Sequence, residues 1–281
     1  MSVAAGIETP SGKGAGDENF PVGSWLLPRA LRPHVARYYA FARAIDDIAD
    51  NPALKAEDKI RRLDDFAEAL TNGSADAAYA KAAALRRTLA ETGISARHGL
   101  DLISAFKQDA VKHRYADWNE LIDYCLRSAA PVGRFLCDLH GEDPALHSLS
   151  DALCNALQVI NHLQDCAKDY AALDRVDLPG DWMRAAGTSA EDLAKAQASQ
   201  GMRRVLDQCL EGTERLMAEA RRLPKAMRHK SLAAETAVIV SIADSLVTRL
   251  CRQDPIARRV ALGPFGFTSA AAGGLLRLWL A

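Results

Sequence analysis

The segment ALQVINHLQDCAKDY at residues 156–170 combines an apolar helical repeat with a regular row of polar side chains. Asn161, Asp165 and Asp169 advance by four residues twice, and Gln158 lies three residues before Asn161. With about 3.6 residues per turn, all four side chains share one face of a helix. Asn and Asp are poor helix formers, so their regular placement in an apolar helix indicates a function for their oxygen atoms.

A second acidic segment, YYAFARAIDDIAD, occupies residues 38–50. Asp46 and Asp50 are four residues apart and therefore lie on one helix face. Like charges at this spacing destabilise an isolated helix, and near a helix C-terminus the macrodipole also disfavours anions. Positive charge is therefore expected nearby. Arg43, one turn before Asp46, offsets part of the cost.

The two rows together predict a site for magnesium and a diphosphate. One row alone is typical of a solvated helix face, but two rows in otherwise apolar helices indicate a shared ligand. Magnesium prefers oxygen ligands and is usually held by a few carboxylates together with substrate phosphates. A di-iron bundle is the metal alternative, but it requires Glu-x-x-His pairs, and the sequence contains none. The predicted Mg²⁺ ligands are Asp46, Asp50, Asn161, Asp165 and Asp169.

The chain after Pro28 is predicted to be almost entirely helical, because apolar residues recur at spacings of three and four and convincing period-two strands are absent. No repeat or linker divides it, so a disordered lead-in at 1–17 is followed by one all-α domain at 18–281. Pro131 and Gly133 are expected to kink the fifth helix. The predicted helices span 30–50, 56–71, 76–92, 95–112, 117–140, 148–172, 201–222 and 230–252, with shorter pieces near 189–197 and 255–280.

The composition is that of a globular protein, with 49% apolar and 25% charged residues. A formal net charge of −1 argues against a nucleic-acid partner. None of the six cysteines forms a C-x-x-C pair, which favours small buried thiols and a reducing cytoplasm. The first sixteen residues lack the apolar core of a secretory signal, and no apolar run reaches the roughly 18–20 residues that span a bilayer. The apolar tail at 269–281 is either a last packed helix or a weak, peripheral contact with the inner face of the membrane.

Three segments resemble the squalene and phytoene synthases in order and spacing. Residues 38–50 resemble the first aspartate-rich motif of that family, and LIDYCLRSAAPVGRFL at 121–136 resembles its central helix. Residues 156–170, followed by RVDLP at 175–179, resemble its second motif and the loop after it. The similarity covers roughly 18–260. Near the N-terminus, ENFPVGSWLLP is similar to the branch of the family that makes hydroxysqualene for hopanoid synthesis.

This resemblance implies an isoprenoid-synthase helical bundle with a central apolar cavity. It implies that the five predicted metal ligands bind magnesium and diphosphate, and that the four aspartates among them are catalytic. The other implied substrate-binding residues are Tyr39 and Arg43 beside the diphosphate, Tyr124 and Gln158 in the cavity lining, and Gln164 and Arg175 near the second motif.

Two positions depart from the family pattern. Gln164 stands where the family has an arginine, and Asp177 replaces the aromatic residue of R-V-Y-L-P. One cationic phosphate contact is therefore missing, and the two polar side chains could hold a water molecule if they lie near the cavity mouth. Arg175 either closes over the phosphate or forms a surface contact beside Asp174 and Asp177. His162 points away from the polar face and is expected either to be structural or to contact the ligand residues rather than the bound ligand.

The implied reaction is the magnesium-dependent conversion of presqualene diphosphate and water to hydroxysqualene and diphosphate. The sequence has no G-x-G-x-x-G after a strand, which agrees with water capture without a nicotinamide reductant. One alternative is head-to-head condensation of two prenyl diphosphates to presqualene diphosphate, dehydrosqualene or phytoene. The other is a non-catalytic relative that acts as an assembly or binding protein, but such a relative should have lost part of its aspartate rows. The expected partners are an isoprenoid diphosphate and enzymes of the same pathway.

Overall fold

The computed structural model describes residues 26–280, so the predicted disordered lead-in at 1–17 lies outside the described residues. Within this range the chain is almost entirely helical, which confirms the predicted all-α class. Its α-helices are α1 (Arg32–Ala49), α2 (Ala56–Thr71), α3 (Ala80–Thr92), α4 (Arg97–Asp109), α5 (Trp118–Ser128), α6 (Ala130–Leu139), α7 (His147–Leu173), α8 (Gly180–Ala185), α9 (Gln200–Ala220), α10 (Leu223–Ala226), α11 (Lys230–Leu250) and α12 (Pro264–Trp279).

Two short strands, β1 (Arg114–Tyr115) and β2 (Val176–Pro179), pair in parallel, so the expectation that strands would be absent is wrong here. They are too short to produce a recognisable period-two pattern in the sequence. α7 ends at Leu173 and is capped by Asp174, which adopts a left-handed conformation with φ of 50°. The chain then turns directly into β2. This turn sets the direction of Arg175 and Asp177, the residues that flank the start of the strand.

The single helix predicted over 117–140 is two helices, because the chain breaks at Ala129 between α5 and α6. Pro131 lies in the first turn of α6, where an amide would have no partner within the helix. Gly133 faces α7, and a Cβ atom at this position would be 2.3 Å from Ser150 Oγ and 2.6 Å from Cys154 Sγ. A glycine is therefore required for the close approach of α6 to α7.

The buried apolar side chains form two clusters. The first is built mainly by α1 to α4 and α6, where Tyr38 stacks on Phe135 with ring centroids 4.0 Å apart. The second is centred on α7, α9 and α11. An apolar cavity of about 190 Å³ lies where the clusters meet, because its walls contain members of both. This agrees with the central apolar cavity that the family resemblance implies.

The C-terminal half of the bundle ends in two packed helices. The sequence predicted no apolar run long enough to span a bilayer. By length and composition alone, α11 is nevertheless long and apolar enough to cross a membrane. However, 67% of its apolar window is buried inside the protein, as in a core helix. α12 packs so closely on α11 that a Cβ atom on Gly274 would lie 2.4 Å from the Ala237 carbonyl oxygen. The apolar tail therefore forms a packed helix.

The six cysteines are free thiols. Most are buried, as predicted: Cys125, Cys137, Cys166 and Cys209 are buried, and Cys154 is half-buried. Cys251 is the exception, because it is exposed in the turn that follows α11.

Candidate active site

The first acidic row lies at the C-terminal end of α1 and is bordered by cations. Arg43 Nη2 is 2.8 Å from a carboxylate oxygen of Asp46 and 2.9 Å from one of Asp47. At the helix end, Lys59 Nζ donates a 2.6 Å hydrogen bond to the Ala49 carbonyl oxygen. These cations oppose both the repulsion within the row and the unfavourable helix dipole. The sequence predicts this role for Arg43 but gives no signal for Lys59.

Arg175 connects the two acidic segments. Its Nη2 atom lies 3.2 Å from Asp50 Oδ1 on α1, and its side chain is only 15% exposed. Burial disfavours the charged guanidinium, but the carboxylates of Asp109 and Asp50 outweigh burial and raise the pKa of Arg175. The structure therefore contradicts the interpretation of Arg175 as a surface residue that contacts Asp174 and Asp177. Arg175 is directed toward the C-terminal end of α1, where Asp50 lies.

The second acidic row, on α7, contacts an arginine that the sequence analysis did not identify. In the segment between α11 and α12, Arg259 Nε lies 2.7 Å from Asp165 Oδ1, and its Nη2 lies 3.3 Å from Oδ2. Gln164 is only 2% exposed and donates a hydrogen bond to the Val260 carbonyl oxygen. This bond anchors the segment on α7. A cation is therefore present beside Asp165, although position 164 is not an arginine.

Asp169 ends the α7 row in a partly buried position. Burial, together with the nearby carboxylates of Asp177 and Asp165, raises the pKa of Asp169 to about 6. Clustered carboxylates of this kind gain from a bound cation, because the cation relieves their mutual repulsion. Asn161, one turn before Asp165, is also half-buried. The α7 row is therefore a set of oxygen donors that favours positive charge.

A buried polar network lies behind the acidic rows. Tyr124 donates a 2.7 Å hydrogen bond to Asp109, whose pKa burial raises to about 6. His162 Nδ1 lies 3.1 Å from Asp177 Oδ2. Burial disfavours the imidazolium, but Asp177 outweighs burial and raises the pKa of His162 to about 10. His162 is therefore half of a buried ion pair.

The environments of four predicted residues differ from those that the resemblance implied. Gln164 and Asp177 are buried with protein partners, and neither lines the cavity within residues 26–280. A water site at the cavity mouth built by these two residues is therefore not supported. The described lining also contains neither Tyr124 nor Gln158. Tyr124 faces Asp109 instead, so its phenol belongs to the polar network.

Two helices carry both the apolar lining of the cavity and an acidic row. On α1 the lining includes Tyr39 and ends at Ala42, and Asp46 follows one turn later. On α7 the lining ends at Leu157, and Asn161 follows one turn later. At about 1.5 Å per residue, each row begins about 6 Å beyond the apolar wall. The acidic ends of these two helices, one turn beyond the apolar wall, are termed the mouth of the pocket.

The oxygen donors at this mouth suit magnesium, although they do not form a complete metal cage. In the described part of the chain, no three His, Cys, Asp or Glu side chains converge closely enough to hold a metal ion by themselves. Magnesium keeps part of its water shell and commonly binds through one or two carboxylates and substrate phosphates. The two rows therefore fit metal ions that bind together with a phosphorylated ligand.

An all-helical bundle with this pocket has the features of an isoprenoid synthase. The chain matches the squalene/phytoene synthase family over residues 14–265. It belongs to that family, as its motifs predicted, and is therefore an isoprenoid synthase enzyme. Members of the family are generally magnesium-dependent enzymes that process prenyl diphosphates.

Individual relatives indicate one branch of the family. The chain is 43% identical over 274 residues to the hydroxysqualene synthase of Rhodopseudomonas palustris, covering 97% of this chain and 93% of the relative. It is 42% identical over 271 residues to the hydroxysqualene synthase of Zymomonas mobilis, covering 95% and 91%. The solved structure of squalene synthase HpnC from Alicyclobacillus acidocaldarius matches with a TM-score of 0.73 and 32% identity, covering 83% and 87%. The predicted similarity to the hydroxysqualene branch is confirmed.

Asp109→Asn is expected to remove part of the pH dependence of stability. Burial raises the pKa of Asp109 in the folded protein from 3.8 to about 6. Between these values the folded state binds more protons than the unfolded state, so wild-type stability falls as pH rises through this window. The loss should be on the order of 2–3 kcal/mol. Urea unfolding of both proteins between pH 4 and pH 7 measures it.

The matched control is Asp123→Asn, because the Asp123 side chain is 68% exposed. This variant should keep the wild-type pH profile. If Asp109→Asn also kept that profile, the raised pKa of Asp109 would be contradicted.

Proposed function

We propose that this protein converts presqualene diphosphate and water to hydroxysqualene and diphosphate. The observation that carries the proposal is an apolar cavity whose two wall helices lead, one turn further on, into acidic rows paired with arginines. An isoprenoid diphosphate has the matching form, with a charged head and a long apolar chain. The hydroxysqualene synthases among the relatives support this particular reaction.

In this proposal, the two acidic rows hold the diphosphate through magnesium. Bound there, the metal would neutralise the charge that develops on the leaving group. Through the metal, the carboxylates of both rows would hold the diphosphate at the mouth, while the isoprenoid chain extends into the apolar interior. The residues assigned as ligands are Asp46 and Asp50 on α1, and Asn161, Asp165 and Asp169 on α7.

Three arginines would contact the diphosphate directly. Arg43, Arg175 and Arg259 each form an ion pair with an aspartate of the rows, so each guanidinium is already held at the mouth. Guanidinium groups bind phosphate oxygens through charge-assisted hydrogen bonds. Gln164 would contribute indirectly, because it anchors the segment that carries Arg259.

The apolar interior would receive the carbocation that forms when the carbon–oxygen bond to diphosphate breaks. Its walls exclude bulk water, which limits the side reactions of the cation. One water molecule then forms the new carbon–oxygen bond and loses a proton, so no reductant enters the balance. Condensation of two prenyl diphosphates is the alternative reaction of such a pocket, and product analysis separates the two.

The first functional prediction concerns the origin of the product oxygen. Purified protein with magnesium and presqualene diphosphate should form hydroxysqualene without NADPH. In ¹⁸O-labelled water the product hydroxyl should carry the label, as measured by mass spectrometry. A parallel incubation with farnesyl diphosphate tests the condensation alternative. An unlabelled alcohol, or squalene that forms only with NADPH, would exclude the proposed reaction.

The second functional prediction concerns the acidic rows. Asp46→Asn and Asp165→Asn should each lower turnover by about 100-fold or more, because each removes a charged ligand of the magnesium that stabilises the leaving group. Circular dichroism should show unchanged helical content. EDTA should abolish wild-type activity, and excess magnesium should restore it. Asp123→Asn is the control outside the rows. Full activity in both row variants would contradict the metal assignment.

We further propose that α12 makes a peripheral contact with the inner face of the cytoplasmic membrane. One side of α12, at Ala270 and Gly274, packs on α11, and the exposed apolar side chains lie on the opposite side. A water-insoluble product would gain from release beside lipid. Four exposed apolar side chains fall within an arc of about 100° on the helix, with exposed fractions of 86% at Phe265, 59% at Leu276, 87% at Trp279 and 79% at Leu280.

The double variant Phe265→Glu/Trp279→Glu should bind vesicles of anionic phospholipid about tenfold more weakly than wild type, because two apolar side chains no longer enter the lipid. Co-sedimentation measures the bound fraction. Val111→Glu is the matched control, since Val111 is 64% exposed and lies outside α12. Equal binding by wild type, the double variant and Val111→Glu would contradict the assignment of α12 as the contact surface.

A further inference from the structure

One acidic side chain lines the interior of the apolar cavity. Glu235 on α11 is only 4% exposed, and its neighbours in the cavity wall include Leu232, Ile239 and Met227. Within residues 26–280 it is the only charged residue in that lining. Placing a carboxylate in apolar surroundings is costly. A chemical role at this position would account for its presence.

The other buried acids are engaged elsewhere. None of them lines the described part of the cavity. Their contacts lie outside the cavity: Asp47 contacts Arg43, Asp109 contacts Tyr124, Glu142 accepts from the backbone amides of Arg228 and His229, Asp177 contacts His162, and Asp192 contacts Lys195. Glu235 is therefore distinguished by its location, because it borders the space in which the proposed substrate chain would lie.

We propose that Glu235 accepts the proton of the water molecule that captures the carbocation. This inference rests on the proposed synthesis of hydroxysqualene, in which capture by water releases one proton. The oxygen lone pair of water forms the new carbon–oxygen bond and gives an oxonium ion. The Glu235 carboxylate takes the oxonium proton and leaves the neutral alcohol. The protonated side chain returns the proton to solvent when the product leaves.

Two hydroxyl side chains also line the cavity and could help to hold a single water molecule. Thr236, which directly follows Glu235, and Ser150 on α7 both contribute to the cavity lining. A buried water usually makes two to four hydrogen bonds, and hydroxyl and carboxylate groups can supply them inside an otherwise apolar wall. In such a wall the negative charge of Glu235 also stabilises a nearby carbocation more strongly than it would in water.

The test compares wild type with Glu235→Gln, which keeps the shape of the side chain but is not a base. With presqualene diphosphate and magnesium, two quantities are measured: diphosphate release and the fraction of product that is alcohol. Glu235→Gln should still release diphosphate, because it leaves both acidic rows intact. Its alcohol fraction should fall at least about tenfold, with hydrocarbons that arise by proton loss taking its place. Glu235→Asp should recover part of the alcohol.

The matched control is Glu219→Gln, an exposed position on α9 that should behave as wild type. Thermal unfolding verifies that the cavity variants are folded, and a ratio of products does not depend on the amount of active protein. An unchanged alcohol fraction in Glu235→Gln would refute the role of Glu235 while leaving the proposed function intact. If wild type itself formed no alcohol from presqualene diphosphate, the proposed function would fail, and this inference with it.

Discussion

The ion pair between Arg175 and Asp50, with Nη2 3.2 Å from the carboxylate oxygen, joins the chain just beyond α7 to the C-terminal end of α1. Because Arg175 directly follows the left-handed residue that ends α7, its position depends on the backbone turn into β2. The β1–β2 ladder then secures that turn. A two-strand element in a helical protein thus stabilises the electrostatic arrangement on which both acidic rows depend.

The charged side chains of the pocket are concentrated at its mouth and are scarce in its interior. The mouth combines aspartates with arginines, so it can bind a highly charged anion without leaving a large net charge behind. The interior is apolar apart from a few side chains, among them Glu235. A substrate that ionises there would place its anionic fragment at the mouth and its cationic fragment among the apolar walls. The fold therefore favours separation of the two fragments over their recombination.

The sequence predicted the features that depend on local periodicity. The spacing of Asp46, Asp50, Asp165 and Asp169 is a property of single helices, and the structure keeps each row on its predicted helix except that Asp50 caps the C-terminus of α1. Long-range contacts could not be predicted in this way. Arg259 reaches Asp165 only through the fold of the segment beyond α11. The strands were missed because they are short, and the break at Ala129 because a proline permits either a kink or a new helix.

The exposure of Cys251 has a practical consequence. The other thiols are buried or half-buried, so a maleimide dye should attach at this residue first. Cys251 lies in the same segment as Arg259, which reaches over the α7 row. A fluorophore on Cys251 would therefore report any movement of this segment, and no cysteine would have to be introduced to attach it. Its emission could be followed in real time as a ligand enters the pocket.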